Sequence, residues 1–270
     1  MDDKLMARGL TARARTVLLT PEPAAKVALS YAASAAWRLG AITAIGAPGA
    51  PAVPARPARP RLLAPRHMPK RRAGRTPRAR IALLHAVAHI ELNAIDLAWD
   101  IVARFADTGL PRAFYDDWAR IAGEEAKHFE ALSRRLGEMG AAYGDLPAHD
   151  GLWQAADATA HDILARLAVV PLVLEARGLD VTPTMIGHME AAGDDATVSI
   201  LRMILADEIG HVAAGGRWFG WLCRKRDLDP AITFHTLVRE NFKGALKPPF
   251  NEEARRMAGL LPAFYQPAAS

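Results

Sequence analysis

Hydrophobic side chains recur every three or four residues along four long stretches of the chain. This spacing places them on one face of an α-helix, so each stretch predicts an amphipathic helix with one buried side. The first predicted helix covers roughly residues 79–106, and the second runs from near residue 111 toward a connection that begins at residue 140. The third covers about residues 153–177, and the fourth begins after the capping residues Asp194 and Asp195. We expect Pro171 to kink the third of these helices and Gly178 to end it.

Outside these stretches the pattern changes. Residues 1–45 predict an N-terminal helical segment, and residues 227–270 predict a C-terminal helical extension. Residues 46–80 contain eight prolines, several of them three residues apart. Because proline lacks an amide donor and has a fixed φ, this segment predicts an extended arm that wraps the surface or links other segments. The regular spacing also suits a ligand for aromatic grooves.

A glutamate lies in the middle of the apolar stripe of each long helix. The order is a lone Glu, an interval, then Glu-x-x-His, and it occurs twice, with intervals of 33 and 32 residues. Residues i and i+3 of a helix lie on one face, so each Glu-x-x-His can offer two ligands to one metal ion. The candidate ligands are Glu91, Glu125 and His128 in the first copy and Glu175, Glu208 and His211 in the second.

Chance could place one Glu-x-x-His on a solvated helix face, but here six ionisable groups lie on apolar stripes. A buried glutamate without a partner costs several kcal/mol or is protonated. Two divalent cations would balance four carboxylates, and a mixture of carboxylate and imidazole suits iron or manganese better than structural zinc. Four Glu and two His in this order are the known ligand set of ferritin-like dimetal bundles.

The sequence therefore predicts an all-α protein with a ferritin-like four-helix bundle over residues 81–226. Such a bundle needs one long crossover connection between parallel helices. Residues 140–151 provide roughly a dozen residues, which at about 3.3 Å each could span ~40 Å. By the duplication, Glu125 and Glu208 are our choice for the glutamates that bridge two metal ions.

Other polar residues lie near the predicted ligands. Glu124 and Asp207 each precede a ligand glutamate and could accept the ring N–H of a ligand histidine on a neighbouring helix. For Glu124 a solvated salt bridge is the alternative. His85 and His89 lie 120–160° round their helix from Glu91, at 100° per residue. We interpret that face, with Asn93, Asp96 and Asp100, as a buried polar network or a contact for the arm.

The net charge of +5 is unevenly distributed. No Asp or Glu occurs from Pro23 to Ile90, and Arg56 to Arg80 contains ten Lys or Arg. This basic segment could bind nucleic acid, although no aromatic residue is interleaved for base stacking, or it could be a solvated linker. Cys223 is the only cysteine, so no intramolecular disulfide can form. We find no signal peptide and no apolar run of about 18 residues, so we expect a cytoplasmic protein without a membrane span.

Several segments resemble an uncharacterised family of bacterial ferritin-like proteins. They are His85 to Asp96, Pro147 to Trp153, Glu175 to Asp180, Asp207 to Val212 and Lys247 to Asn251, together with the Pro/Arg arm. The ligand layout is more distantly similar to that of the ferritin-like tRNA hydroxylase acting on methylthio-isopentenyl-adenosine. The resemblance implies the fold and the metal site, and oxygen chemistry only by analogy.

The function that we predict is a non-haem di-iron oxidase or monooxygenase, with two iron ions or manganese in their place. It would use dioxygen, an electron donor and a substrate that the sequence does not identify. One alternative is a ferritin-like protein that binds iron or detoxifies peroxide. A further alternative is an RNA-modifying hydroxylase that uses the basic arm.

Overall fold

The computed structural model describes residues 9–69 and 76–266, and regular secondary structure in that part of the chain is helical. The only extended pairing within those residues is an isolated bridge between Leu62 and Ala148. The prediction of an all-α protein is confirmed. The chain divides into two compact units, residues 1–151 (unit 1) and residues 152–270 (unit 2).

Unit 1 is built on two long helices that pack against each other. Its helices are α1 (Leu10–Leu18), α2 (Pro23–Arg38), α3 (Pro77–Arg104) and α4 (Arg112–Glu138). α3 packs along α4, α2 packs on α4, and α1 packs on α3. Only a short turn joins α3 to α4, as is usual for antiparallel neighbours. The apolar stripes predicted for α3 and α4 form the core of this unit.

The start of α3 follows from two local signals. The Thr76 hydroxyl accepts a hydrogen bond from the Ala79 amide at 3.3 Å, and Pro77 occupies the first turn, where its missing amide costs nothing. The helix therefore begins two residues before the predicted position.

The proline-rich arm lies on unit 1, and over residues 46–69 its only regular features are the bridge at Leu62 and a 3₁₀ turn at Pro65–His67. Residues 77–80 of the predicted arm belong to α3. The backbone of the arm is fixed by hydrogen bonds to helices and loops: the Leu18 carbonyl accepts from the Ala55 amide at 2.8 Å, and the Ala103 carbonyl accepts from the Gly49 amide at 2.9 Å. Farther along, the Leu63 amide donates to the Ala148 carbonyl at 2.8 Å. Residues 70–75 of the predicted arm lie outside the described part of the chain.

Unit 2 packs several shorter helices around one long helix. The elements are α5 (Gly151–Ala158), α6 (Ile163–Val169), a π-helix (Val170–Glu175), α7 (Ala176–Glu190), α8 (Asp195–Lys225), α9 (Pro230–Asn241), α10 (Glu252–Met257) and a 3₁₀ turn (Pro262–Phe264). α8 contacts α6, the π-helix, α7, α9 and α10. Asp194 caps α8, its carboxylate accepting from the Thr197 amide at 3.1 Å.

The predicted helix over residues 153–177 is wrong in its bounds. α5 ends at Ala158, and the Asp162 carboxylate starts a new helix by accepting from the Ala165 amide at 3.4 Å. Gly178 lies inside α7, where a Cβ would meet nothing within 4 Å, so no steric feature of that glycine ends the helix. A glycine inside a helix costs only about 1 kcal/mol, which tertiary packing can offset. Pro171 does interrupt the rod, as a π-helix.

Among the described residues, α3 alone is long and apolar enough to cross a membrane, but 72% of its most apolar window is buried inside the protein. The core helix of a soluble protein has these same properties.

Candidate metal centre

Unit 1 brings the first copy of the repeated pattern together in its core. Glu91 comes from α3, whereas Glu125 and His128 lie one helical turn apart on α4. The His128 Nδ1 lies 3.3 Å from Glu91 Oε2 and 3.3 Å from Glu125 Oε2. Because α3 and α4 pack along their lengths, a residue near the middle of each meets the other helix directly.

These three side chains are almost completely buried. Glu91 is 4% exposed, and Glu125 and His128 are 0% exposed. Each offers one ligand atom, and these atoms lie within 4.8 Å of one another. Ligand atoms about 2.1 Å from one ion can be at most ~4.2 Å apart, so a small adjustment of the side chains would let them share an ion.

The chemistry of the donor set fits a metal ion. Without a cation, the two carboxylates would repel each other in this water-poor interior, or would be protonated, because burial penalises their charged forms. The same oxygen and nitrogen donors suit divalent iron or manganese. The described residues thus include a buried Glu/His cluster that could hold a metal ion.

The second copy of the pattern lies in unit 2. Glu208 and His211 are buried on α8, and the His211 Nδ1 lies 3.4 Å from Glu208 Oε1. Glu175 is half-buried and is the last residue of the π-helix, which packs on α8. Both copies therefore place a histidine Nδ1 beside the carboxylate of its own Glu-x-x-His.

The π-helix that ends at Glu175 packs closely against α8. Pro171 lacks an amide hydrogen, which prevents a regular α-helical ladder, and the wider turn accommodates the resulting displacement. Gly215 of α8 lies under this turn: a Cβ there would be 2.4 Å from Pro171 Cβ. A residue without a side chain at position 215 is therefore required for this approach. π-helices occur frequently at functional sites.

The two residues proposed to support the ligands have different surroundings. Glu124 accepts a 2.5 Å hydrogen bond from Arg120, one turn earlier on α4, and it is half-buried. This is the salt bridge considered as its alternative role. Asp207 on α8 is also half-buried. The role of both residues in orienting ligand histidines stays a prediction.

The other face of α3 forms the polar network expected from the sequence. The His89 Nδ1 lies 2.9 Å from the Tyr143 hydroxyl, and its Nε2 lies 3.1 Å from the His149 carbonyl oxygen. Burial lowers the pKa of His89 to about 4, so the ring is neutral at neutral pH. The Asn93 side-chain amide donates to the His89 carbonyl at 2.7 Å.

Asp96, at the centre of that face, forms ion pairs with two basic side chains. Lys26 of α2 forms one ion pair, and Arg56 of the arm forms the other at 2.6 Å. Burial raises the pKa of Asp96, and both cations oppose the shift. The face is therefore both a buried network and the contact for the arm.

Lys26 was missed by the sequence analysis, although a signal was present. It shares a helical face with Ser30, Ala33 and Trp37, and all four side chains are buried. A lysine within such a stripe indicates a buried partner of opposite charge.

Comparison with known proteins supports the family resemblance. Residues 19–266 match the model of a family described as "Protein of unknown function (DUF455)". The chain is also 45% identical over 208 residues to an uncharacterised protein of Haemophilus influenzae, covering 74% of this chain and 70% of that protein. No solved structure gives a significant match.

Proposed function

The chain belongs to the DUF455 family, and we propose that it is a non-haem di-iron oxidase or monooxygenase. The buried cluster of Glu91, Glu125 and His128 carries this proposal. Three titratable side chains that converge in an apolar core are hard to explain by stability alone, because a buried polar group must be compensated. Buried clusters of titratable side chains are found frequently at functional sites.

The proposed architecture is a ferritin-like bundle over residues 81–226, in which residues 140–151 provide the long crossover. The support is the duplicated order of Glu and Glu-x-x-His, which ferritin-like dimetal proteins use. The helical character of all four stretches is consistent with that architecture.

The proposed ligand set uses both copies of the pattern. Glu91, Glu125 and His128 would hold one iron, and the other iron would be held by Glu175, Glu208 and His211. We assign bridging to Glu125 and Glu208. Two divalent ions balance four carboxylates, so the filled site would carry no net charge.

A reduced iron pair, when bound, supplies two electrons for the reduction of dioxygen. The chain contributes a dry environment. One helical turn from the first-copy ligands, Ala88 and Ile95 on α3 and Ile121 and Leu132 on α4 are completely buried. These apolar side chains would keep water from the reacting atoms and strengthen every charge interaction at the site.

The first test is metal analysis combined with oxygen uptake. Protein from iron-supplied cells should contain iron, and the reduced form should continue to consume oxygen when an electron donor is present. Uptake that stops after the bound iron has been oxidised once would indicate an iron-binding protein without a substrate. Zinc or no metal would leave only a structural role.

Substitution of a proposed ligand refines that test. We expect Glu125→Gln to lower the iron content by at least one ion per chain and to abolish sustained oxygen uptake. Glu130→Gln is the control because Glu130 is exposed on the same helix. Full iron loading of Glu125→Gln would remove Glu125 from the site.

RNA is a second candidate partner, through the basic arm. Arg59, Arg61 and Arg66 are exposed and form no ion pair with any residue in the described ranges, whereas Arg56 is held by Asp96. We expect RNA retention that weakens with salt, since phosphate contacts release counterions. Replacing the three exposed arginines by glutamine should reduce both the affinity for RNA and the steepness with which that affinity falls as the salt concentration rises.

The matched control replaces three exposed arginines elsewhere: Arg13, Arg38 and Arg256. Equal loss in both triple variants would indicate a general charge effect. Retention that salt does not alter, or none at all, would reject an RNA partner.

A further inference from the structure

A large cavity lies in unit 1 beside the N-terminal half of α3. Its volume is about 620 Å³, within the ~300–1,000 Å³ typical of small-molecule sites. α3 contributes small residues to its wall, Ala79, Ala82 and Ala86, at the spacing of one helical face. Most other lining residues are apolar: Met68, Pro69, Ile81, Leu146 and Pro147.

Among the described lining residues, the one charged side chain is that of Arg78. Arg78 is exposed and forms no ion pair with any residue that the structure describes. None of the described lining residues is acidic, and the sequence has no Asp or Glu from Pro23 to Ile90 to provide one from that segment. A negative group entering the cavity would be attracted by Arg78. The carboxylate that acts on His85 belongs to Asp145, which is not among the described lining residues.

His85 contributes a neutral ring to the lining. Its Nε2 accepts hydrogen bonds from the amides of Gly144 at 2.9 Å and Leu146 at 3.4 Å. Burial lowers the pKa of His85, and Tyr143 stacks on the ring at 5.4 Å between centroids. With Nε2 accepting and the ring neutral, the proton is on Nδ1. His85 is 2% exposed, so the part of the ring that lines the cavity is small.

We propose that this cavity binds an amphiphilic anion: a small molecule with an apolar chain and a carboxylate or phosphate head group. The apolar lining takes the chain, because removing its surface from water is favourable. Arg78 recognises the head group with a charge-assisted hydrogen bond. This site uses none of the six proposed metal ligands and does not depend on their assignment.

Binding can be measured with dodecanoate and dodecyl phosphate, each displacing a fluorescent fatty-acid analogue from the full chain. We expect both anions to compete, and we expect dodecanol and dodecyltrimethylammonium to compete at least tenfold more weakly. Competition by all four compounds at similar concentrations would overturn the anion preference, and absence of competition would overturn the site.

Two substitutions locate the binding. Ala82→Leu should fill part of the cavity, and Arg78→Gln should remove the cation; each should weaken dodecanoate binding about tenfold or more. The controls are Ala196→Leu and Arg38→Gln, which change exposed helical residues away from the lining. Dodecanoate affinity that falls equally in the variants and in their controls would reject this location.

Phosphatidylglycerol vesicles distinguish a free molecule from a lipid surface. Binding to vesicles that is indifferent to Ala82→Leu would indicate surface attraction by exposed arginines and would contradict the cavity site. If Ala82→Leu does not fold, judged by its helical circular dichroism, Arg78→Gln alone decides, because an exposed arginine can be replaced without loss of packing.

Discussion

At Asp96, two cations and one carboxylate share an environment from which water is almost absent. Lys26 is 1% exposed and Asp96 is 0% exposed. If one of the two charged side chains is removed, water therefore cannot solvate the charge that remains. A buried ion pair often adds little net stability, yet loss of one member leaves a charge that nothing compensates.

We therefore expect Lys26→Met to lower the free energy of unfolding by about 3 kcal/mol, with Arg56 still opposing the charge of Asp96. Adding Asp96→Asn in the same chain should restore part of this loss, since the uncompensated charge is then absent. Urea unfolding measures both. Lys243→Met, at an exposed position, should stay within about 0.5 kcal/mol of the parent protein. Equal effects at residues 26 and 243 would show that the buried pair is not coupled to stability.

The sequence pattern predicted which helix faces are buried. It did not predict which side chains contact one another across the fold. Helical spacing alone separated the face of Glu91 from the face of His89 and Asp96, and the structure has the same division. The pairing of Asp96 with Lys26 and Arg56 joins residues 70 and 40 positions apart. Such pairs depend on tertiary packing, which local periodicity does not contain.

At the scale of elements, the breaks within predicted helices were the least predictable feature. Glycine is common at the ends of helices, but Gly178 lies inside α7. A Cβ at this position would contact nothing within 4 Å, so no close contact there requires a glycine. Asp162 provided the effective signal, as the cap of α6. The arm was predictable because eight prolines leave the backbone few alternatives to an extended path.

The approach of the π-helix to α8 gives a matched pair of glycine substitutions. Gly215→Ala should destabilise the protein by roughly 1–3 kcal/mol, since the new Cβ would overlap the ring of Pro171. Gly210→Ala on the same helix meets nothing within 4 Å and should be neutral or stabilising by up to ~1 kcal/mol. Thermal unfolding compares them, and identical changes would mean that the contact with Pro171 relaxes freely.

The arm should detach locally when its ion pair is removed. Arg56→Gln leaves the backbone hydrogen bonds intact but removes the contact with Asp96. We expect trypsin to cleave after Arg61, before Leu62, several-fold faster, because cleavage requires local opening. Arg66→Gln, at an exposed position of the same arm, is the control. Unchanged cleavage in Arg56→Gln would show that hydrogen bonds alone fix the arm.

At the scale of the whole molecule, a bound metal should stabilise the native state over the unfolded chain. Ferrous or manganous ion at about 1,000 times its Kd would add ~4 kcal/mol, which corresponds to a rise in Tm of roughly 10 °C for a chain of this size. We expect this rise in metal-free protein, and a smaller rise in Glu208→Ala. Glu253→Ala, with an exposed side chain, should respond like the parent protein. No rise with either ion would contradict resident metal sites.

The uneven charge of the chain also has a consequence at this scale. The acid-free segment from Pro23 to Ile90 obtains its counter-charge from Asp96 and Asp150, with Arg56 lying 3.8 Å from the latter. Part of the basic segment is thus neutralised within unit 1, which composition alone could not reveal.

A π turn contains one more residue than an α turn of the same height, so the rod after Val170–Glu175 is rotated by about 100° relative to an uninterrupted helix. Deletion of one residue from this turn would rotate the Glu175 carboxylate to another direction, although the sequences of α6 and α8 would be unchanged. In an alignment of relatives of this chain, a gap of one position at this turn would therefore indicate that the acidic side chain points in another direction. Such a gap should be kept in the alignment and not removed by shifting the neighbouring residues.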